Sequence, residues 1–259
     1  MSPLVKVRAF FADSITAHVS NEKNSLFTSP IIPAHCLFAL RVIFSLFSLA
    51  TLIISWSEEG RIHWFFFFTN LSFLMTWFYF TAVSVLYALR EIANVTCFMD
   101  KTSSKFCRFM IVLCEISYST GLTFEAIVTV VYFALLHKGP SFCGTRNFLS
   151  YSMHIAPIVF YLVDAVLNDG FFYLSQCIFP LLMGVLYYIH ILLGSLILVD
   201  DRSSSDGVGR PFFPYRFLDI HRNRSCALYY CMILFFGFMG YFVFMGLHLV
   251  RDRLRRMMK

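Results

Sequence analysis

Apolar residues run along this chain in long blocks rather than in alternation. Six blocks stand out, at about residues 35–56, 64–89, 107–136, 147–169, 171–199 and 226–250. Each approaches or exceeds the roughly 20 residues that a helix needs to cross a bilayer core. The pattern predicts an all-α fold, a polytopic membrane protein built as a six-transmembrane-helix bundle. The spans form one transmembrane domain over 35–250. A cytosolic or interfacial segment, 1–34, precedes it and a basic tail, 251–259, follows. Residues 1–34 lack a continuous apolar core, so the first span is expected to act as the targeting signal.

The polar residues inside these blocks are placed with a helical period. In the second span Thr69, Ser72 and Thr76 share one face, and Asn70 lies about 100° away. In the third, Glu115, Tyr118, Glu125, Thr129 and Tyr132 share another. The fourth span carries His154 about two turns in and Asp164 near its other end. The fifth carries Gln176, Tyr187, Tyr188, His190 and Ser195. Polar stripes through a membrane helix must look inward, at partners or at a water-filled cavity. Simpler roles are expected elsewhere. Arg41 should snorkel to the interface, and Asp164 should cap or pair locally. His35, His63, His137, His221 and His248 fall near interfaces. Gly237, Gly240 and Gly246 suit close helix contact.

Composition agrees with the pattern: 58% of residues are hydrophobic, 14% are charged, and mean hydropathy is +0.70, far from a soluble domain. The net charge of +6 does not point to nucleic acid, because the basic residues sit at helix ends and in the tail. Twelve Lys and Arg fall on the side of the two termini and eight on the other, which orients both termini to the cytosol. The endoplasmic reticulum and the plasma membrane both fit. The tail is read as a positive-inside anchor that also attracts anionic lipid. The 8 Cys form no metal-ligand spacing; most read as small buried hydrophobes, and Cys143 with Cys226 is an optional bridge. Asn94 and Asn223 open glycosylation sequons on opposite faces of the membrane.

Orientation gives depth. Thr69 lies about five residues into the second span and His154 about six into the fourth, both entered from the non-cytosolic side, so each sits roughly 8–9 Å below that interface. His190 is at similar depth and Glu125 somewhat deeper. A hydroxyl, one or two imidazoles and a carboxylate can therefore meet in one cavity. A Thr hydroxyl beside an imidazole can attack an ester carbonyl, the base then needing an orienting partner and the oxyanion needing donors such as Asn70 or Ser72. The simpler alternatives are a Thr69 bonded to the carbonyl four residues back and a His154 that is only a hydrogen-bonded interior residue.

Three segments resemble the androgen-induced-gene family of membrane proteins. WFFFFTNLSF, Trp64 to Phe73, is similar to that family's aromatic lead and essential Thr, which falls on Thr69. Met153–His154 followed by IAPIVFYLVDAV is similar to its Met-His pair and apolar run ending in an acid. PFFPYRFLD matches its late aromatic and proline segment. The resemblance covers about residues 35–250. It implies a multi-span hydrolase of fatty-acid esters of hydroxy fatty acids, with Thr69 as nucleophile and His154 as base. Asn70, Glu125 and His190 are candidate supporting groups. A lipid-ester substrate and the bilayer are the expected partners, and no metal or organic cofactor is required. FFTNLSF and YLVDAVLN also resemble the related Rolling stone-like proteins, where hydrolysis is not implied. A small-solute or proton-coupled transporter, or a non-enzymatic adhesion or assembly protein, are the rival expectations.

Overall fold

A computed structural model describes residues 26–59, 62–92, 105–136, 145–170, 172–200 and 210–258. Six helices in it are long and apolar enough to cross a membrane, and the fold is the all-α bundle that the sequence predicts. The helices are α1 (Ala34–Glu59), α2 (Phe68–Tyr87), α3 (Lys105–Val131), the pair α4 (Thr145–His154) and α5 (Ala156–Leu167), α6 (Ile178–Ile197) and α7 (Cys226–Met257). A two-residue strand, β1 (Val199–Asp200), pairs antiparallel with β2 (Arg210–Pro211) in the α6–α7 connection. Residues 1–25, Asn94, His137 and Cys143 lie outside the described residues, and with them the interfacial segment, one sequon and one end of the optional bridge.

Helix α3 is the axis of the bundle. It touches α2, α4, α5, α6 and α7, and its membrane-spanning stretch is the most buried of the six. The four tyrosines Tyr79, Tyr118, Tyr161 and Tyr241 are fully enclosed where α2, α3, α5 and α7 meet. The Thr69, Ser72 and Thr76 face of α2 is buried against this centre, as its spacing predicts.

The fourth span is not one helix. It breaks at Ile155, between α4 and α5, with Pro157 in the first turn of α5. Proline has no N–H to give to the carbonyl four residues back, and its ring crowds that carbonyl. The helix stops at His154.

One local expectation is corrected and three are extended. Arg41 does not snorkel. It is buried and donates through Nε and Nη2 to the two carboxylate oxygens of Asp164 at 2.6 and 3.1 Å, and through Nη1 to the Leu26 carbonyl at 2.7 Å. Asp164 therefore pairs across the bundle as well as locally, and it also accepts from Tyr79 at 2.7 Å and Asn168 at 2.8 Å. A charge inside a bilayer takes a buried partner when the interface is out of easy reach. His248 is likewise interior: its Nδ1 donates to the Phe244 carbonyl at 2.8 Å, so Nε2 accepts from the Tyr118 hydroxyl at 2.8 Å.

The basic tail, finally, continues α7. That helix spans 32 residues, or about 48 Å, longer than the ~30 Å hydrocarbon core. Two of its last arginines turn inward. Arg251 donates to the carbonyls of Ala165 and Gly170, each at 2.7 Å, and Arg255 donates to those of Asn168 and Val166 and to Asp169. They satisfy carbonyls at and just beyond the C-terminus of α5 that have no helical partner.

Candidate active site

The site is built at two helix ends. Phe67 is the N-cap of α2 and offers no side-chain cap, so Thr69 stands in the first turn, where backbone N–H groups have no intrahelical acceptor. His154 is the last residue of α4. Thr69 Oγ1 lies 3.4 Å from His154 Nε2. It lies 3.4 Å from the Tyr215 hydroxyl as well, and the Thr69 N–H donates to that hydroxyl at 3.5 Å. These are long contacts, of the kind that tighten when substrate binds.

The imidazole is oriented by its own helix. Nδ1 lies 2.6 Å from the Ser150 carbonyl. A carbonyl can only accept, so Nδ1 carries the proton and, in the neutral ring, Nε2 presents its lone pair to Thr69. The Tyr132 ring stacks on the imidazole at 4.0 Å, and the Tyr132 hydroxyl accepts from Ser150 Oγ at 3.2 Å. The Thr129 hydroxyl reaches the His154 carbonyl at 2.6 Å. The helix break strips this stretch of backbone partners, and α3 supplies one from its polar stripe.

The supporting candidates lie elsewhere. Asn70 Nδ2 donates to the Trp64 carbonyl at 3.0 Å, and His190 Nε2 donates to the Phe65 carbonyl at 3.1 Å. Tyr187 donates to the next carbonyl, that of Phe66, at 2.9 Å. Three side chains thus take three successive carbonyls of the short 3-10 turn His63–Phe66, which sets where α2 begins. The side chains of Asn70 and His190 thus bond to the turn that leads into Thr69. Phe65 is also the residue whose carbonyl a back-bonding Thr69 would use, and that carbonyl is taken by His190. Ser72 donates to the Thr69 carbonyl at 3.1 Å, so it too is committed to the backbone.

Glu125 sits deeper. Its Oε1 accepts from Thr76 at 2.9 Å, and its fully buried Oε2 has no hydrogen-bond partner among the described residues. It contacts neither Thr69 nor His154 directly. The group that orients the imidazole is the Ser150 carbonyl, not a carboxylate.

Tyr215 is the residue that depth arguments do not reach, because it comes from the connection between α6 and α7. The described part of that connection, residues 210–225, is held by several hydrogen bonds. Phe212 N–H donates to the Leu198 carbonyl at 3.0 Å, beside the β1–β2 pair. Tyr230 and Asn223 donate to the carbonyls of Leu218 and Phe217 at 3.0 and 2.7 Å, and Leu218 is buried. The ring of Tyr215 rests edge-on against Phe67.

From Thr69 an apolar cleft opens between α3, α6 and α7, with about 620 Å³ of space between atoms, open solvent at its mouth included. Phe124, Val128 and Val131 line one wall, Pro180, Gly184 and Tyr187 another, and Ile233, Leu234 and Gly237 a third, under a roof of Tyr215, Phe217 and Leu218. Among the described residues no group of three or more His, Cys, Asp or Glu gathers to hold a metal ion. The site offers an oriented imidazole, a hydroxyl it can deprotonate, donors beside that hydroxyl and an apolar channel leading to it.

No known protein family, curated protein or solved structure matches this chain.

Proposed function

We propose that this multi-pass membrane protein hydrolyses lipid esters, with Thr69 as nucleophile and His154 as base. One observation carries the proposal: Thr69 Oγ1 and His154 Nε2 stand 3.4 Å apart at the head of an apolar cleft, with Nδ1 fixed on a carbonyl. Thr69 Oγ1 attacks the ester carbonyl carbon while His154 Nε2 takes its proton. The carbonyl oxygen becomes an oxyanion beside the Thr69 N–H and the Tyr215 O–H, which replace Asn70 and Ser72 as its donors. Collapse breaks the ester C–O bond, and His154 returns the proton to the departing alkoxide. A water, deprotonated by the same imidazole, then cleaves the acyl-Thr69 ester and frees the acid. The resemblance noted in the sequence supports a fatty-acid ester of a hydroxy fatty acid as the substrate class. The lysine and arginine balance supports cytosolic termini, with the site near the opposite face of the endoplasmic reticulum or plasma membrane.

The test compares wild type, Thr69→Ala and His154→Ala at equal folded level, reading ester hydrolysis and covalent labelling by a fluorophosphonate. Both signals are expected to vanish in Thr69→Ala. Full hydrolysis in either variant would overturn the mechanism.

One observation favours a second reading, proton-coupled transport. Glu125 is a wholly buried acid with one oxygen that has no hydrogen-bond partner among the described residues. Against it, Asp164 is locked by Arg41, Tyr79 and Asn168, and the fourth span is a single broken helix rather than one of a pair. Uptake into proteoliposomes that responds to pH and is lost in Glu125→Gln, without ester cleavage, would establish it.

A further inference from the structure

The cleft that ends at Thr69 is polar at one end only. No charged side chain lines it. Its polar side-chain atoms are the hydroxyls of Thr69, Tyr187, Tyr188 and Tyr215. Tyr187 and Tyr188 are committed, to the carbonyls of Phe66 and Tyr230 at 2.9 and 3.0 Å. The cleft's polar end is therefore the end at Thr69. A polar or charged solute would lie along the remaining walls without partners, which burial makes costly. An amphiphile with one ester or carboxyl end and one apolar tail fits.

The shape limits the tail. From Val131 to Phe124 on α3, and from Tyr187 to Pro180 on α6, the walls run seven residues, about 10 Å at the helical rise. At mid-depth α6 and α7 approach so closely that a Cβ on Gly184 would lie 2.8 Å from Leu234 Cδ2. At the floor a Cβ on Gly237 would lie 3.1 Å from Ile127 Cδ1. Both displaced side chains are themselves cleft walls. A larger residue at either glycine therefore pushes its neighbour into the channel.

We propose that this cleft takes a single unbranched acyl chain with its carbonyl end at Thr69, and that Gly184 and Gly237, through Leu234 and Ile127, set the chain length it accepts. The carbonyl placement rests on the hydrolase reading. The tail placement rests on the cleft alone.

The experiment uses the full chain in detergent, as wild type, Gly237→Ala and Ile127→Ala, with two readouts. The first is hydrolysis of a series of p-nitrophenyl esters from butyrate to palmitate. The second, made also on Thr69→Ala, is displacement of a dansylated fatty acid by free alkanoic acids of the same lengths, which needs no catalysis. Gly237→Ala is expected to move both profiles toward shorter chains, with the long-to-short ratio of kcat/KM falling about tenfold, the effect of roughly one methylene of pocket. Ile127→Ala, which opens the floor, is expected to move both profiles the other way, so a folding defect cannot imitate the pair. Thr69-dependent hydrolysis with the same profile in all three proteins would overturn the cleft proposal and leave the hydrolase reading standing. Length-selective displacement that shifts with the variants, without any hydrolysis, would do the reverse. Displacement indifferent to chain length would mark the cleft as a place where bulk lipid lies, and the proposal would be wrong.

Discussion

Replacing Asp164 by Asn removes one charge and almost no volume, and the structure says what that does. The Arg41 and Asp164 side chains are 3% and 0% exposed. The pair is bidentate, at 2.6 and 3.1 Å, and two further donors, Tyr79 and Asn168, converge on Oδ2. In Asp164→Asn the guanidinium keeps its place and its bond to Leu26 but loses its counter-charge. Breaking one side of a buried pair costs about 3–5 kcal/mol, because the surviving charge stays out of water. Tyr79→Phe removes a single neutral donor, and interhelical hydrogen bonds in membranes average only about 0.6 kcal/mol. The assay is unfolding in mixed micelles followed by tryptophan fluorescence, since Trp64 is buried against α1. Asp164→Asn and Arg41→Met are each expected to lose several kcal/mol. The double variant Arg41→Met/Asp164→Asn, with no charge left, should recover a large part of that loss. If Asp164→Asn stayed within about 1 kcal/mol of wild type, or the two losses simply added to within about 0.5 kcal/mol, the pair would not be acting as a unit.

Two other outcomes follow from the site. Tyr215→Phe is expected to lower kcat about 100-fold with little change in KM, as loss of an oxyanion donor does; a fall of less than about threefold would reduce the hydroxyl to a prop for Thr69. Gly194→Ala places a methyl in the Phe66 ring, which stacks on His190. It should cost about 1–3 kcal/mol by overpacking and, by shifting the turn that starts α2, cut labelling of Thr69 more than it lowers stability; equal labelling per folded molecule would show that the turn does not govern the site.

What the sequence could and could not reveal follows from the range of each signal. Helical spacing is local, so the buried face of Thr69, Ser72 and Thr76 was readable. Depth is set by counting residues from the interface, and it put Thr69 and His154 on one level, where the structure holds them within 3.4 Å. Counting gives level without direction. Asn70 and His190 were placed near Thr69 for the same reason, yet both point at backbone carbonyls of the preceding turn. Arg41 and Asp164 are separated by 123 residues. Their signal in the sequence is one positive and one negative charge at the same end of two spans, and since snorkelling and local pairing each satisfy one charge alone, nothing local links the two. The break after His154 was also visible, in Pro157. Tyr215 was not, because a loop residue has no depth to count, and its position depends on tertiary contacts of Phe212, Phe217 and Leu218.

The position of Thr69 in its helix bears on whether its hydroxyl can react. Elsewhere in the bundle several hydroxyls reach carbonyls of their own helices, some of them beside a second partner on another helix. Thr76 reaches the Ser72 carbonyl at 3.1 Å, Ser84 that of Phe80 at 2.7 Å, Thr123 that of Ser119 at 2.8 Å and Thr129 that of Glu125 at 2.8 Å. In a medium without water this capture is the easiest way to satisfy a hydroxyl. Thr69 escapes it because it lies in the first turn, where the residue four places earlier belongs to another turn and its carbonyl is taken by His190. Among the described residues its hydroxyl's hydrogen-bond contacts, His154 and Tyr215, both come from outside its helix. His154 gains from the opposite arrangement. At the last position of α4 its Nδ1 can still reach back one turn to Ser150, while the ring projects past the helix end toward Thr69. A helix start supplies the free hydroxyl and a helix stop supplies the held imidazole. Moving Thr69 one turn deeper into α2 would return its hydroxyl to an intrahelical carbonyl and leave the imidazole without a nucleophile to activate.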